Sequence, residues 1–360
     1  MPSSHSPVRL AITLGDVAGV GPEVVVRSLD ILMRDSAWLR GEIQAVVVGC
    51  SRAVEQTARR LGLAREVVAL STPCAAASEM IGVWSPDGRS LADVPPGRAE
   101  ARAGAAAHDW LRAAARAALA GTVDAIVTAP LSKLGLSLAG ISFPGHTEIL
   151  ADECGIEQVA MMLYLPPGAP MVAGHSLSVA HATLHTSLAS VPRQLTPQRV
   201  LETIELVDRF LRQIGEPGTI GVCALNPHAG EDGLFGDEET RVIAPAVAEA
   251  RQRGIVVVGP LPADTLLKSA VEGRYHGVVA MYHDQGHIAL KLIGFHRAVN
   301  VTLGLPIIRT SPSQGTAYDI AGCGLADPSG MISAIETAIQ LARTRQKREG
   351  AVATTGECSP

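Results

Sequence analysis

Histidines close three apolar runs of this chain. The runs read Leu177-Ser-Val-Ala-His-Ala-Thr-Leu-His185, Thr219-Ile-Gly-Val-Cys-Ala-Leu-Asn-Pro-His228 and Gly277-Val-Val-Ala-Met-Tyr-His283-Asp284-Gln285-Gly286-His287. Short uninterrupted apolar runs of this kind read as strands buried on both faces. A strand delivers its last side chains to one rim of its sheet, and in open α/β folds ligands bind at the carboxyl rim. Neutral imidazole suits zinc, iron, copper and nickel, so His185, His228 and His283 gathered at one rim would form a divalent-metal site. Taken singly, each histidine is better explained by a structural hydrogen bond.

A dense polar segment follows the third run, and Lys291, Asn300, Arg309, Ser311, Gln314, Thr316 and Asp319 come after it. Arg309 can grip a phosphate or carboxylate through two N–H bonds, with Lys291 as a point charge. The competing reading is a polar loop network that satisfies backbone groups. Upstream, Gly145-His146-Thr147-Glu148 opens an expected helix, and helix N-termini attract anions. An N-cap threonine beside a surface histidine explains the same residues. Gly15-Asp16-Val-Ala-Gly19-Val-Gly21-Pro22-Glu23 links a strand to a helix, with Pro22 suited to a first helical position. Its glycines either admit a ligand to the backbone or only make a tight turn.

These residues need elements to carry them. Strands are expected at Arg9–Leu14, Ala45–Gly49, Val123–Thr128, Val159–Leu165, Leu177–Thr183, Ile220–Leu225, Val256–Gly259, Gly277–Tyr282, Val299–Leu303 and Ile307–Thr310. Helices are expected near Pro22–Arg34, Arg52–Leu61, Ala99–Leu119, Pro197–Ile214, Glu238–Arg253 and Ser329–Thr344. The alternation is that of an α/β protein with a largely parallel sheet. Ser85–Arg98 reads as an exposed loop. Residues 346–360 lack an apolar face and are expected to form a flexible tail.

At 360 residues, two lobes are expected rather than one core. A net charge of −5 with 3% aromatic residues argues against nucleic-acid binding, which needs a basic face or stacking rings. Six dispersed cysteines without a Cys-x-x-Cys pair fit a reducing compartment. Neither a signal core nor a run of membrane-spanning length is seen, so a cytoplasmic protein is expected. No Gly-x-Gly-x-x-Gly follows a strand candidate, so a Rossmann fingerprint is missing.

Read in order from about Ile12 to Gly324, the strings resemble the PdxA family, the 4-hydroxythreonine-4-phosphate dehydrogenases and their relatives. The resemblance rests on Gly-Asp-x-Ala-Gly-x-Gly-Pro-Glu, Thr-Ala-Pro-x-x-Lys, Gly-His-Thr-Glu, Asn-Pro-His-Ala-Gly-Glu, Tyr-His-Asp-Gln-Gly and Asn-x-Thr-Leu-Gly-Leu-Pro-x-Ile-Arg-Thr-Ser. It implies a two-lobed α/β fold like that of isocitrate and isopropylmalate dehydrogenases, with the active-site cleft between the lobes, in a homodimer. The implied cofactor-side lobe is 1–135 plus 285–345, and 136–284 is the substrate, metal and dimer-interface lobe.

The resemblance implies one divalent metal (zinc, magnesium or cobalt) per active site, held by His185, His228 and His283 across the dimer interface. His146, Thr147, Lys291, Asn300 and Arg309 match substrate-binding positions, and Lys291 and Asp284 are implied to be catalytic. Gly315, Thr316, Ala317 and Asp319 are implied to bind NAD or NADP. The implied reaction oxidises a secondary alcohol next to a carboxylate-bearing carbon of a small phosphorylated substrate, then releases carbon dioxide. The substrate is 4-phosphooxy-L-threonine or, in a second branch, 4-phospho-threonate or 4-phospho-erythronate; Pro144, Leu234-Phe235-Gly236 and His287-Ile288 look more like that branch. A dihydrodiol dehydrogenase of the terephthalate kind and a non-catalytic metabolite-binding descendant are the remaining alternatives. Val17 stands where the family commonly has Pro, and Pro312-Ser313-Gln314 where relatives typically carry Val-Asp-His, leaving the NAD/NADP choice open.

Overall fold

The computed structural model describes residues 6–77, 79–168, 171 and 174–355. Its strands are β1 (Val8–Thr13), β2 (Ile43–Val48), β3 (Val67–Leu70), β4 (Ile81–Trp84), β5 (Ala125–Thr128) and β6 (Ala160–Leu165). They continue with β7 (Leu177–His181), β8 (Ile220–Cys223), β9 (Val257–Leu261), β10 (Gly277–Ala280), β11 (Val299–Leu303) and β12 (Ile308–Pro312). The chain divides into two compact units, Met1–Gln158 with Leu305–Pro360, and Val159–Gly304.

In the first unit the strand order is β3-β4-β2-β1-β5-β12, every neighbouring pair parallel. Parallel strands are covered on both faces by their crossover helices, which is why β1 and β5 carry mostly apolar side chains. Helix Gly21–Leu32 carries Pro22 in its first turn, one residue after the first helical position expected for it. Helix Ala101–Leu119 is rich in alanine, the best helix former, and buries Trp110 completely. A side chain at Gly104 would strike the backbone of Gly135, so glycine here lets helix Lys133–Leu138 pack closely.

The second unit has the order β11-β6-β7-β10-β8-β9. β11, β6 and β7 are antiparallel neighbours, whereas β7, β10, β8 and β9 run parallel. Leu163, Leu177, Val179, Val278 and Leu290 lie in its core. Burying each such side chain contributes roughly 1.5–3 kcal/mol. Helix Pro197–Ile214 begins with the Thr196 hydroxyl accepting the Arg199 N–H and ends on left-handed Gly215.

The compact units divide at 158/159 and 304/305, where the expected lobe boundaries lay at 135/136 and 284/285. Helix His146–Cys154 belongs with the first unit through Arg112–Asp152 and Arg116–Glu153 ion pairs, and β11 belongs with the second by pairing with β6. Three expectations about elements are corrected. β3 and β4 were not foreseen, nor were helices Ala263–Val271 and His283–Gly294. Glu238–Arg253 is a π turn, Glu239–Ile243, followed by helix Ala244–Gln252. The last helix runs from Ser329 to Thr355, so the segment expected to fray at 346 continues as helix; 356–360 lie outside the described residues. Among the described residues no helix is long and apolar enough to cross a membrane.

Candidate active site

β7, β10 and β8 are adjacent and parallel, so the chain leaves all three at the same rim of the second unit. His185 comes four residues after β7, His283 three after β10 and His228 five after β8. The His185 and His283 rings lie 5.6 Å apart by centroid. Both line a cavity of about 440 Å³ with Leu184, Thr186, Tyr282 and Asp284. His283 opens helix His283–Gly294, and its Nδ1 is 2.7 Å from Asp284 Oδ1. A carboxylate accepts only, so Nδ1 carries the proton and Nε2 keeps its lone pair for a cation.

Two further histidines support this corner. His287, one turn along the helix, stacks on His283 with ring centroids 3.7 Å apart and planes 10° from parallel. Its Nδ1 is 3.1 Å from His181 Nε2, and His181 Nδ1 is 3.3 Å from the Met161 carbonyl. The carbonyl fixes the proton on His181 Nδ1, so His181 Nε2 accepts from His287. Burial holds the pKa of His181 down to about 4 and that of His287 to about 2, so both rings are neutral. A side chain at Gly286 would lie 2.6 Å from His181 Nε2, which is why the string Asp-Gln-Gly-His needs its glycine. Gln285 ties the rim together, accepting from the Met281 N–H at 2.7 Å and donating to the Ala224 carbonyl at 2.8 Å.

His228 is delivered differently. Residues 228 to 232 are all left-handed, with φ of 53° at His228, 56° at Ala229, 82° at Gly230, 44° at Glu231 and 52° at Asp232. The left-handed region costs an L-residue roughly 1–2 kcal/mol, so surrounding contacts must hold this turn. The His228 ring lies 6.3 Å from Phe235 by centroid. Among the described residues no group of three or more His, Cys, Asp and Glu is arranged to hold a metal. One copy of the chain thus brings His185 and His283 together without completing a three-ligand set.

Of the other residues singled out in the second unit, Lys291 continues the His283–His287 ridge, its Nζ 5.7 Å from the centre of the Phe295 ring. Asn300 sits on β11 with its Oδ1 buried and without a hydrogen-bond partner among the described residues. An unsatisfied buried acceptor costs about 1–3 kcal/mol and fits a position that a ligand donor would satisfy.

The first unit holds an anion-type corner. Arg309 on β12 is 1% exposed and donates from Nε and Nη2 to Thr128 Oγ1 at 3.1 and 2.8 Å. Burial pulls its pKa down to about 9, against the opposing charge of Glu148. His146 and Thr147 form the first turn of helix His146–Cys154, with His146 Nε2 3.2 Å from the Ala129 carbonyl. Burial, then the Arg309 charge, keep His146 neutral. A guanidinium and a helix N-terminus in one unit suit a phosphate or carboxylate.

The segment Gly315–Asp319 is clasped by the first strand–helix turn. The Val20 N–H donates to the Thr316 carbonyl at 2.9 Å, and a side chain at Gly19 would lie 2.8 Å from that oxygen. Tyr318 donates its hydroxyl to buried Asp16 at 2.6 Å, and Ala317 is left-handed at φ 40°. Close packing thus accounts for Gly19.

A sequence profile of the family described as pyridoxal phosphate biosynthetic protein PdxA matches residues 42–338. The chain belongs to the PdxA family. The 4-hydroxythreonine-4-phosphate dehydrogenase of Geobacter metallireducens is 46% identical over 340 residues, covering 94% of this chain and 96% of that protein. The D-threonate 4-phosphate dehydrogenase of Pectobacterium atrosepticum is 43% identical over 345 residues, covering 92% and 99%. A crystal structure of 4-hydroxythreonine-4-phosphate dehydrogenase from Klebsiella pneumoniae superposes with a TM-score of 0.79 at 42% identity, covering 94% of this chain and all of that one. In this PdxA-family chain, sequence reading gave no role to His181, Gln285 or Glu239. His181 carried a signal as a second histidine inside the first apolar run, and Gln285 as part of the Tyr-His-Asp-Gln-Gly string.

Proposed function

We propose that this PdxA-family chain is a metal-dependent, NAD(P)-linked dehydrogenase that oxidises and decarboxylates a small phosphorylated hydroxy acid. Its substrate on this reading is 4-hydroxythreonine 4-phosphate. D-threonate 4-phosphate is the second candidate, favoured by relatives of that name from Pectobacterium atrosepticum and, at 40% identity, Bordetella bronchiseptica. The two substrates differ in an amine or a hydroxyl beside the carboxylate.

The observation that supports the reading most is the His185–His283 pair with Asp284 on the Nδ1 of His283. His185, His228 and His283 would hold the divalent metal, which supplies Lewis-acid stabilisation of negative charge on the substrate oxygens. Three imidazoles favour zinc or cobalt over magnesium, which prefers oxygen ligands. Asp284 orients His283, and Lys291 offers a positive charge and a proton donor on the same helix ridge. Arg309, His146 and Thr147 bind the phosphate or carboxylate, and Asn300 meets a polar substrate group. Gly315, Thr316, Ala317 and Asp319 face NAD or NADP, the hydride acceptor. On this reading the two units are the lobes of an isocitrate/isopropylmalate dehydrogenase-like enzyme with its cleft between them.

A homodimer with a shared site belongs to the same proposal. Ile288, Leu292 and Phe295 form an exposed apolar stripe on the helix of His283, with Leu292 84% exposed, and Leu234 and Phe235 are exposed beside the His228 turn. Apolar patches of this kind suit a second copy. Free Cys50, Cys74, Cys154, Cys223 and Cys323 support a reducing, cytoplasmic setting.

The test is to incubate the protein with NAD⁺ or NADP⁺, a divalent metal and each phosphorylated substrate. Reduced nicotinamide with one of them is expected. Ligand binding without any reduced nicotinamide would instead support a metabolite-binding descendant.

A further inference from the structure

We propose that Glu239 is a positioning residue that locks the end of β8 and thereby holds His228 in its left-handed turn, ready to bind metal. The inference rests on the reading of His228 as a metal ligand.

Glu239 is 4% exposed and lies at the first position of the π turn Glu239–Ile243. Its Oε1 accepts the backbone N–H groups of Leu225 and Asn226, each at 2.8 Å, and its Oε2 accepts Asn226 Nδ2 at 3.0 Å. Leu225 and Asn226 are the residues through which the chain passes from β8 into the left-handed turn. One buried carboxylate thus satisfies both backbone donors at the entry to the strained segment, and it also fixes the Asn226 side chain. Asn226 Nδ2 donates as well to Glu238 Oε2 at 2.7 Å, so the amide bridges the two carboxylates.

The far side of the turn meets the same carboxylate. A side chain at Gly230 would lie 2.7 Å from Glu239 Oε2 and 3.0 Å from the Gly236 carbonyl. The Phe235 N–H closes the loop on the Gly230 carbonyl at 3.1 Å. Glu239 therefore touches the turn before and after His228, whereas no hydrogen bond of Glu239 reaches His228 itself among the described residues. A left-handed run this long persists only when its surroundings over-determine it, and π turns concentrate at functional sites. Partners that orient a metal ligand from behind typically set metal affinity by 10- to 100-fold.

The test titrates full-length, chelator-stripped protein with cobalt(II), following heat by calorimetry and the visible absorption of the bound ion. Glu239→Gln keeps a carbonyl acceptor for the backbone N–H groups but sets its amide against Asn226 Nδ2. It should weaken cobalt binding roughly tenfold, and Glu239→Ala by up to about 100-fold, with a changed absorption band. Far-ultraviolet circular dichroism checks that each variant is folded, and the glutamine variant carries the test where the alanine variant does not fold. His228→Ala separates the two levels of the argument. If His228→Ala loses cobalt while both Glu239 variants bind it as the wild type does, the positioning role is overturned. If His228→Ala itself binds cobalt as the wild type does, the ligand reading falls, and the inference with it.

Discussion

His283 and His228 follow neighbouring parallel strands to one rim, but the backbone delivers them by opposite means. His283 is the first residue of a regular helix, stacked by His287 and bonded by Asp284, in a conformation that any residue adopts at little cost. His228 opens a run of left-handed residues held from outside by Glu239 and Asn226. The lesson is that one rim can combine a candidate ligand placed by ordinary helix geometry with one placed by stored strain. The first should tolerate changes in its surroundings. The second should depend on them.

The comparison is tested most forcefully by removing the imidazoles. His228→Ala and His283→Ala should each lower metal-dependent formation of reduced nicotinamide by roughly 10³-fold or more, because Lewis-acid stabilisation is worth several kcal/mol. Near-normal turnover in either variant would remove that histidine from the site.

Glycine replacements come next. Gly230→Ala meets both the left-handed penalty and the Glu239 carboxylate, and should cost about 2–4 kcal/mol in urea denaturation. Gly286→Ala meets no left-handed penalty, only crowding against His181 and Val179 in a helical backbone, and should cost about 1–3 kcal/mol. Equal losses would erase the distinction between strained and unstrained placement.

A smaller effect concerns pH and the support of His283. His181 has a folded pKa of about 4 and an ordinary value of 6.5, so between these the unfolded chain binds more protons. Stability is therefore complete above pH 6.5 and falls as pH drops toward 4, by up to about 3 kcal/mol from this residue. Thermal melts across that window should show a shallower fall in His181→Phe, which removes this imidazole and leaves His287 as the remaining buried one. An unchanged slope would mean that His181 is not the buried neutral group described.

Much of this architecture could be read from residue order. Runs such as Ile220-Gly-Val-Cys and Gly277-Val-Val-Ala are apolar throughout, because a strand covered on both faces has no polar side to show. β3 and β4 escaped because turn-type residues flank them, Ser71-Thr-Pro after β3 and Ser85-Pro-Asp-Gly after β4, and β3 is only partly buried. Helix His283–Gly294 was hidden by its first turn, His-Asp-Gln-Gly, a composition equally typical of a loop. The left-handed turn was unreadable, since Pro-His-Ala-Gly-Glu-Asp fits right-handed backbone just as well. The carboxylate that meets its entry, Glu239, lies 13 and 14 residues downstream of Asn226 and Leu225. The histidines of the candidate site stood out by type and position, whereas the groups that hold them are set by tertiary contacts.

The claim that the three histidines carry a catalytic metal is tested most directly by one assay of the wild-type protein. Chelator-stripped enzyme is given NAD⁺ or NADP⁺ and the phosphorylated substrate, then zinc or cobalt is added back, with His228→Ala in parallel. The expected result is no reduced nicotinamide before metal, restored turnover after it in the wild type, and none in the variant. Undiminished turnover in the stripped protein would contradict the account.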